Sequence, residues 1–472
     1  MIWSILAVVH LAIVGVTMLH LLSRPDLSSM TRLAWAFAVV WLSVLGVLLY
    51  FLFGNIRFGG RIGKAHRAAE RATRDMVRTS GAAPDLPRYG PASGFATEVM
   101  GFGVTEGNRA ELLDSPDGQR ARLIEDIDAA KRFINVFYYI WLDDGTGRSV
   151  AAALIRAAKR GVKVRAGVDA LGSHALLGSD VWTQLADAGI ETTVALPIGN
   201  PLVTAAERRP DLRNHRKIFV ADGTVLHCGS QNCADPAFSP KPAFAPWVDV
   251  MVRFEGPVAR QMDLVFAWTW FDERPIDLAP WDYEVTPLDG GVTAQVVCTG
   301  PTLHKGITAQ LISRILGEAR REIMITTPYF YPGDTVADAI MGAAAAGVDV
   351  TLTVPRRNDS GFVGPASRAL YPLLLRAGVK IMEFEGGLLH SKLLTVDGEL
   401  TLIGSTNLDF RSFDLNFENN ILIADREMTG TIRERQAVYL ASSRRVNATV
   451  VAEWDIRHRL WNNAVAMFGP VL

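Results

Sequence analysis

The chain has 472 residues, too many for one ordinary hydrophobic core, so two or three domains are expected. A formal net charge of -1 supplies no global field for nucleic acid, and three cysteines cannot build a disulfide framework. Apolar residues make up 49% and the mean hydropathy is +0.17, which points to membrane segments.

The first apolar run covers residues 3–22, broken only by His10, His20 and small polar residues. A second covers residues 33–53 and contains Trp35, Trp41 and Tyr50. Each is near the ~20 residues of a spanning helix, and the short link with Pro25 and Asp26 predicts a transmembrane helical hairpin within residues 1–55. A cleaved signal peptide would need a positive stretch before the apolar run, and the first basic residue is Arg24. His10 and His20 receive no role.

Residues 56–100 read as a basic juxtamembrane segment and linker. By the positive-inside rule, Arg57, Arg61, Lys64, Arg67, Arg71, Arg74 and Arg78 predict that this flank, and all that follows, is on the cytoplasmic side of a multi-pass membrane protein. Arg24 and Arg32 in the link weaken that bias. The same arginines suit either anionic headgroups or a solvated helical face. Residues 79–93, rich in Pro, Gly, Ala and Ser, predict a flexible linker.

Beyond the linker the chain repeats itself, over residues 101–288 and 289–472. In the first copy a helical pattern at 123–132 precedes a strand-like run at 133–141, then a helix ending at Gly161 and a strand at 162–165. The second copy has 311–320, 322–330, a helix ending at Gly347, and 348–351. Glycine after each helix is a C-cap signal, and the alternation predicts two α/β/α domains with a largely parallel sheet, related by a pseudo-twofold axis.

Each copy then delivers one polar signature at identical intervals: His215, Lys217, Asp222-Gly223 and Gly229-Ser230-Gln231-Asn232, then His390, Lys392, Asp397-Gly398 and Gly404-Ser405-Thr406-Asn407. Asp249 and Glu418 hold comparable places downstream. His and Lys two apart on a strand share a face, and Asp-Gly predicts a hairpin turn directly after. Paired domains would bring two His, two Lys and two Asn to one pocket. Lys217, Lys392, Asn232 and Asn407 would hold phosphoryl oxygens, one histidine would attack phosphorus and the other protonate the leaving group. Asp249 and Glu418 are candidates to orient the histidines. Asp222 and Asp397 complete the motif but, lying in turns, read as structural. The set needs no metal and no cofactor, and Cys228, Cys233 and Cys298 read as small buried residues.

These residues resemble the twin HKD motifs of the phospholipase D superfamily, and the chain is similar to its bacterial cardiolipin synthases. Tyr50 to Gly54, Gly107-Asn108, Tyr138 to Trp141, Pro328 to Phe330, the run from Gly404 to Glu418 and Leu460 to Asn463 carry the likeness. The resemblance implies a two-step exchange in which a histidine displaces glycerol from phosphatidylglycerol and a second phosphatidylglycerol accepts the phosphatidyl group. It assigns His215 as nucleophile and His390 as general acid, the two being nearly interchangeable by pseudo-symmetry. Ser230 departs from the family, which often has glycine there, and residues 233–247 form an unusual insertion that bears on the acceptor.

Alternatives with the same residues are a hydrolytic phospholipase D giving phosphatidic acid and a phosphatidyltransferase with another donor. A nuclease is disfavoured by the membrane segments and the absence of a basic stripe, so the expected partners are phospholipids and a bilayer rather than nucleic acid. Tyr138, Tyr139, Trp141, Tyr329, Phe330 and Tyr331 are either a lipid-cleft lining or ordinary core.

Overall fold

The structure is a computed structural model that describes residues 2–78, 86, 88–113, 115–272, 274–303 and 306–467. It comprises two compact units, Met1–Gly60 with Ile198–Leu212, and Arg61–Pro197 with Arg213–Pro470.

The N-terminal part of the first unit is made of α1 (Ile2–Ser23), α2 (Ser29–Trp41) and α3 (Ser43–Phe53). Only α1 has the length and apolarity to cross a membrane among the described residues. The single helix expected over 33–53 is broken. Ser43 takes a left-handed φ of 55°, and the chain reverses there. A Cβ on Gly46 would lie 2.0 Å from the Ala38 carbonyl oxygen, so glycine is what lets α3 lie against α2. Tyr50 meets Trp35 at 5.7 Å between ring centroids, and Leu21, Leu27, Val39 and Tyr50 form the small core. The Ile198–Leu212 segment, with its short Pro201–Glu207 helix, closes this unit by pairing along residues 57–59.

In the second unit, α4 (Gly60–Arg78) buries His66, Ala69, Glu70 and Thr73, so one face of the basic segment is core while Arg61, Lys64 and Arg71 stay exposed. The flexible linker expected over 79–93 needs correction: α5 (Gly90–Met100) starts inside it and buries Ala92, Ser93 and Ala96. Small residues signalled flexibility, but here they permit close helix packing. Residues 79–85 and 87 lie outside the described residues.

One sheet runs through both copies. At its centre Thr105–Leu113 pairs antiparallel with Val292–Thr299. From the former it continues through Met251–Glu255, Val225–Gly229, Lys217–Ala221, Phe133–Tyr138 and Lys163–Asp169 to Glu191–Ala195. From the latter it continues through Asn416–Ala424, Leu400–Gly404, Leu393–Val396, Glu322–Thr326 and Asp349–Pro355 to Lys380–Phe384, with Ser443–Arg445 beyond. The order outward from the seam is the same on both sides, which is the pseudo-twofold relation between two phospholipase D-like halves. The sheet is mixed rather than largely parallel: along this order the outer three strands of each half run parallel, while the Asp-Gly turns force their flanking strands antiparallel. The strands expected over 133–141 and 322–330 end earlier, at Tyr138 and Thr326.

Candidate active site

Both Asp-Gly pairs turn with positive φ, 53° and 75° at Asp222-Gly223 and 55° and 68° at Asp397-Gly398, the primed-turn geometry of a tight hairpin. The Asp222 carboxylate accepts the N–H groups of Lys131, Arg132 and Phe133 at 2.8, 2.7 and 3.0 Å. Asp397 accepts those of Arg320, Arg321 and Glu322 at 3.0, 2.7 and 2.9 Å, and pairs with Arg88. Neither aspartate joins the histidines. Each ties its hairpin to the start of the neighbouring strand.

The histidines sit just before their strands, in segments stitched to the opposite half. Arg213–Asn214 runs parallel with Asn416–Phe417, and Leu388–Leu389 with Trp247–Val248. His215 accordingly donates its backbone N–H to Phe417 O at 2.9 Å, and His390 to Val248 O at 2.8 Å. This reciprocal pairing carries the carboxylates across the pseudo-dyad. Nδ1 of His215 meets the Glu418 carboxylate at 2.9 and 3.1 Å, and Nδ1 of His390 meets Asp249 Oδ1 at 2.6 Å. Each imidazole is thus oriented through Nδ1 by a carboxylate of the other copy. Ser230 Oγ donates to Asp249 at 2.6 Å and Ser405 Oγ to Glu418 at 2.5 Å, so the serine of each Gly-Ser-x-Asn turn holds the carboxylate of its own copy.

Lys217 and Lys392 are buried, and each folds back so that Nζ donates to the carbonyl of its own histidine, at 2.8 and 2.5 Å. Asn419, which the motif reading passed over, clamps Lys217 by accepting its N–H at 2.9 Å and donating to its carbonyl at 3.1 Å. Asn232 Oδ1 accepts the Ile140 N–H at 3.2 Å, and Asn407 Nδ2 donates to Ser412 Oγ at 3.2 Å while its Oδ1 is buried without a partner.

The electrostatics follow from burial. Desolvation pushes His215 and His390 down to about 4, the nearby carboxylates opposing it and the lysines adding to it. Desolvation likewise lowers Lys217 to about 8 and Lys392 to about 7. Burial alone would raise Asp249, but His390, Lys392 and Ser230 bring it to about 2; Glu418 is lowered too, by His215, Lys217 and Ser405. Lys392 acts on His215 and Lys217 on His390, so the two motifs share one electrostatic environment. The arrangement is neutral imidazoles hydrogen-bonded to carboxylates, beside two cations poised for an anion.

Residues 123–270 and 312–436 match the family described as cardiolipin synthase, PLD-like domain, and residues 2–55 match the phospholipase D-nuclease N-terminal family. The chain belongs to the cardiolipin synthase family of the phospholipase D superfamily. Cardiolipin synthase A of Klebsiella pneumoniae subsp. pneumoniae is 35% identical over 481 residues, covering 100% of this chain and 98% of that relative. Cardiolipin synthase A of Pectobacterium carotovorum subsp. carotovorum is 36% identical over 492 residues with the same coverage. The crystal structure of the phosphatidylserine synthase of Haemophilus influenzae Rd KW20 shares the fold, with a TM-score of 0.60 at 15% identity, over 82% of this chain and 100% of that one.

In this member of the cardiolipin synthase family the aromatic residues divide. Tyr138, Trp141 and Phe330 are core, Tyr329 donates to Asp359 at 2.7 Å, and Tyr331 donates to Ala466 O at 2.7 Å. Tyr139 alone of the six packs on a motif histidine, its ring 4.8 Å from that of His215. On the other side Trp247 lies 4.6 Å from His390 with Phe238 stacked on it at 3.8 Å, a contact no local pattern announced. Both Phe238 and Trp247 come from the 233–247 segment. Its Asp235 accepts from Gly145, Thr146 N and Thr146 Oγ1, and its Lys241 pairs with Asp359 at 2.5 Å. A cavity of about 420 Å³ lies beside it, with Phe244, Arg356, Arg357 and Phe384 in its lining. The three cysteines are buried and unpaired.

Proposed function

We propose that the protein is a cardiolipin synthase that transfers a phosphatidyl group from one phosphatidylglycerol to another and releases glycerol. The observation that carries this reading is the reciprocal pair of histidine–carboxylate contacts flanked by two buried lysines. Neutral His215, held by Glu418, attacks the phosphodiester through Nε2 as the P–O bond to glycerol breaks. His390 supplies the proton to the departing alkoxide. Empty, His390 is neutral; the bound phosphodiester anion offsets the lysines and draws a proton onto it. In the second half, the headgroup hydroxyl of another phosphatidylglycerol loses its proton to His390 and attacks the phosphatidyl-histidine, restoring His215. Lys217, Lys392, Asn232 and Asn407 stabilise the charge that grows on the non-bridging oxygens.

The 233–247 insertion and the cavity edged by Arg356 and Arg357 suit the acceptor's own phosphate. The apolar N-terminal unit anchors the enzyme in a bacterial inner membrane, and the basic residues after Gly54 support a cytoplasmic position for the catalytic unit.

The test is product analysis with purified enzyme in phosphatidylglycerol vesicles containing a chelator. Cardiolipin and free glycerol in equal amounts are expected. Phosphatidic acid as the sole lipid product would make water the acceptor and overturn the transferase reading.

A further inference from the structure

We infer that the N-terminal unit crosses the bilayer once, and that α2 and α3 form a re-entrant hairpin which enters and leaves on the side of the catalytic unit. This rests on the membrane anchoring proposed above but concerns which segments share a side.

The argument starts from lengths. The 22 residues of α1 span ~33 Å, enough for the ~30 Å hydrocarbon layer. The 13 residues of α2 and 11 of α3 reach only ~20 and ~17 Å, and they are folded against each other rather than end to end. Contacts with α1 fix the directions. Ser43, at the reversal, lies 3.1 Å from His10 Nε2, while Tyr50, near the end of α3, lies 2.8 Å from His20 Nδ1. So α3 runs parallel to α1, α2 runs against both, and the reversal sits about midway along α1. Bare backbone in hydrocarbon is tolerated only where it is covered. Here the turn keeps Leu42 N–H on Ala38 O at 2.9 Å, and the Ser43 hydroxyl and His10 Nε2 share a hydrogen bond. The two histidines left without a role by the sequence thereby acquire one.

Charge locates the water-facing end. Arg24 donates to Gly54 O at 2.8 Å, Arg209 to Phe53 O at 2.7 Å, and Arg57 to Phe51 O, so three guanidiniums cap the last turn of α3. Arg32 joins them, donating to Arg24 O at 2.8 Å. Such a cluster belongs at the headgroups, whereas Val16, Leu19, Phe37, Trp41, Leu45 and Leu48 are exposed along the three helices and need lipid. A two-span hairpin would put Arg24 and Arg32 across the membrane from Arg57. The re-entrant arrangement gathers all of them on one side and removes that conflict with the positive-inside rule. Chain continuity from Gly54 into α4 puts the catalytic unit on the same side.

Single cysteines at Ser4, Ser29 and Ser442, all exposed, test this by labelling with a membrane-impermeant maleimide in intact and permeabilised cells. The native cysteines are buried, and each variant is first checked for lipid exchange. We expect Ser29→Cys to label on the same side as Ser442→Cys, and Ser4→Cys on the opposite side. Ser29→Cys opposite Ser442→Cys, with Ser4→Cys on the catalytic side, would restore two spans and overturn the inference. Labelling of Ser442→Cys from outside intact cells would overturn the cytoplasmic placement alone, since the relative sides of the three positions still decide the number of crossings.

Discussion

At the scale of single residues, the proposed mechanism depends on imidazoles that are held neutral and aimed. His215→Ala and His390→Ala should each abolish exchange in protein that still folds, although each leaves a buried carboxylate without its imidazole and so lowers the unfolding transition. Glu418→Gln keeps the shape but replaces an acceptor-only group with one that no longer stabilises an imidazolium. Exchange should fall about 100-fold or more, with lipid binding little changed. Lys392, pushed by burial to about 7, implies that free enzyme loses a cation as pH rises. The kcat/KM for phosphatidylglycerol should therefore decline above about pH 7, and Lys392→Arg should carry that limb to higher pH. The histidines and lysines were legible from spacing alone. Ser230, Ser405 and Asn419 were not: hydroxyls and amides adjacent to a motif look alike in sequence whether they meet substrate or a neighbouring side chain.

Among elements, the Asp-Gly hairpins and the helix-strand alternation were readable because turn chemistry and periodicity are local. Asp222 and Asp397 sit in those turns and gather three N–H groups each. Asp222→Asn or Asp397→Asn should lower unfolding free energy by about 1–3 kcal/mol in denaturant titrations while the folded fraction keeps its exchange rate. An equal loss of activity per folded molecule would place these aspartates in the chemistry instead. What escaped was non-local. The reversal at Ser43 lies within an unbroken apolar run and depends on His10, 33 residues earlier, and on the close approach that Gly46 permits. The helix at Gly90–Met100 was hidden by small residues that read as a linker until their packing partners are known.

For the whole molecule, the duplication was evident in sequence, but the exchange of carboxylates between copies was not, since equal spacing fits pairing within a copy equally well. Burial of the two imidazoles also shapes the response to acid, the exchanged carboxylates opposing it only in part. His215 and His390 sit near 4 when folded and near 6.5 when unfolded, so between those values the unfolded chain binds more protons. Stability should fall as pH drops from about 6.5 to about 4 and gain nothing further from these groups below that. In thermal melts the wild type should lose stability across that window that a His215→Gln/His390→Gln variant keeps, so the difference between them should change there and nowhere else from these groups. The crossing of Glu418 to His215 has a temporal consequence as well. The two partners are 203 residues apart in the chain. At ~5–20 residues per second, a ribosome delivers the histidine roughly 10–40 s before its carboxylate. An unfinished polypeptide therefore holds His215 without the carboxylate that orients it until the second copy has been made.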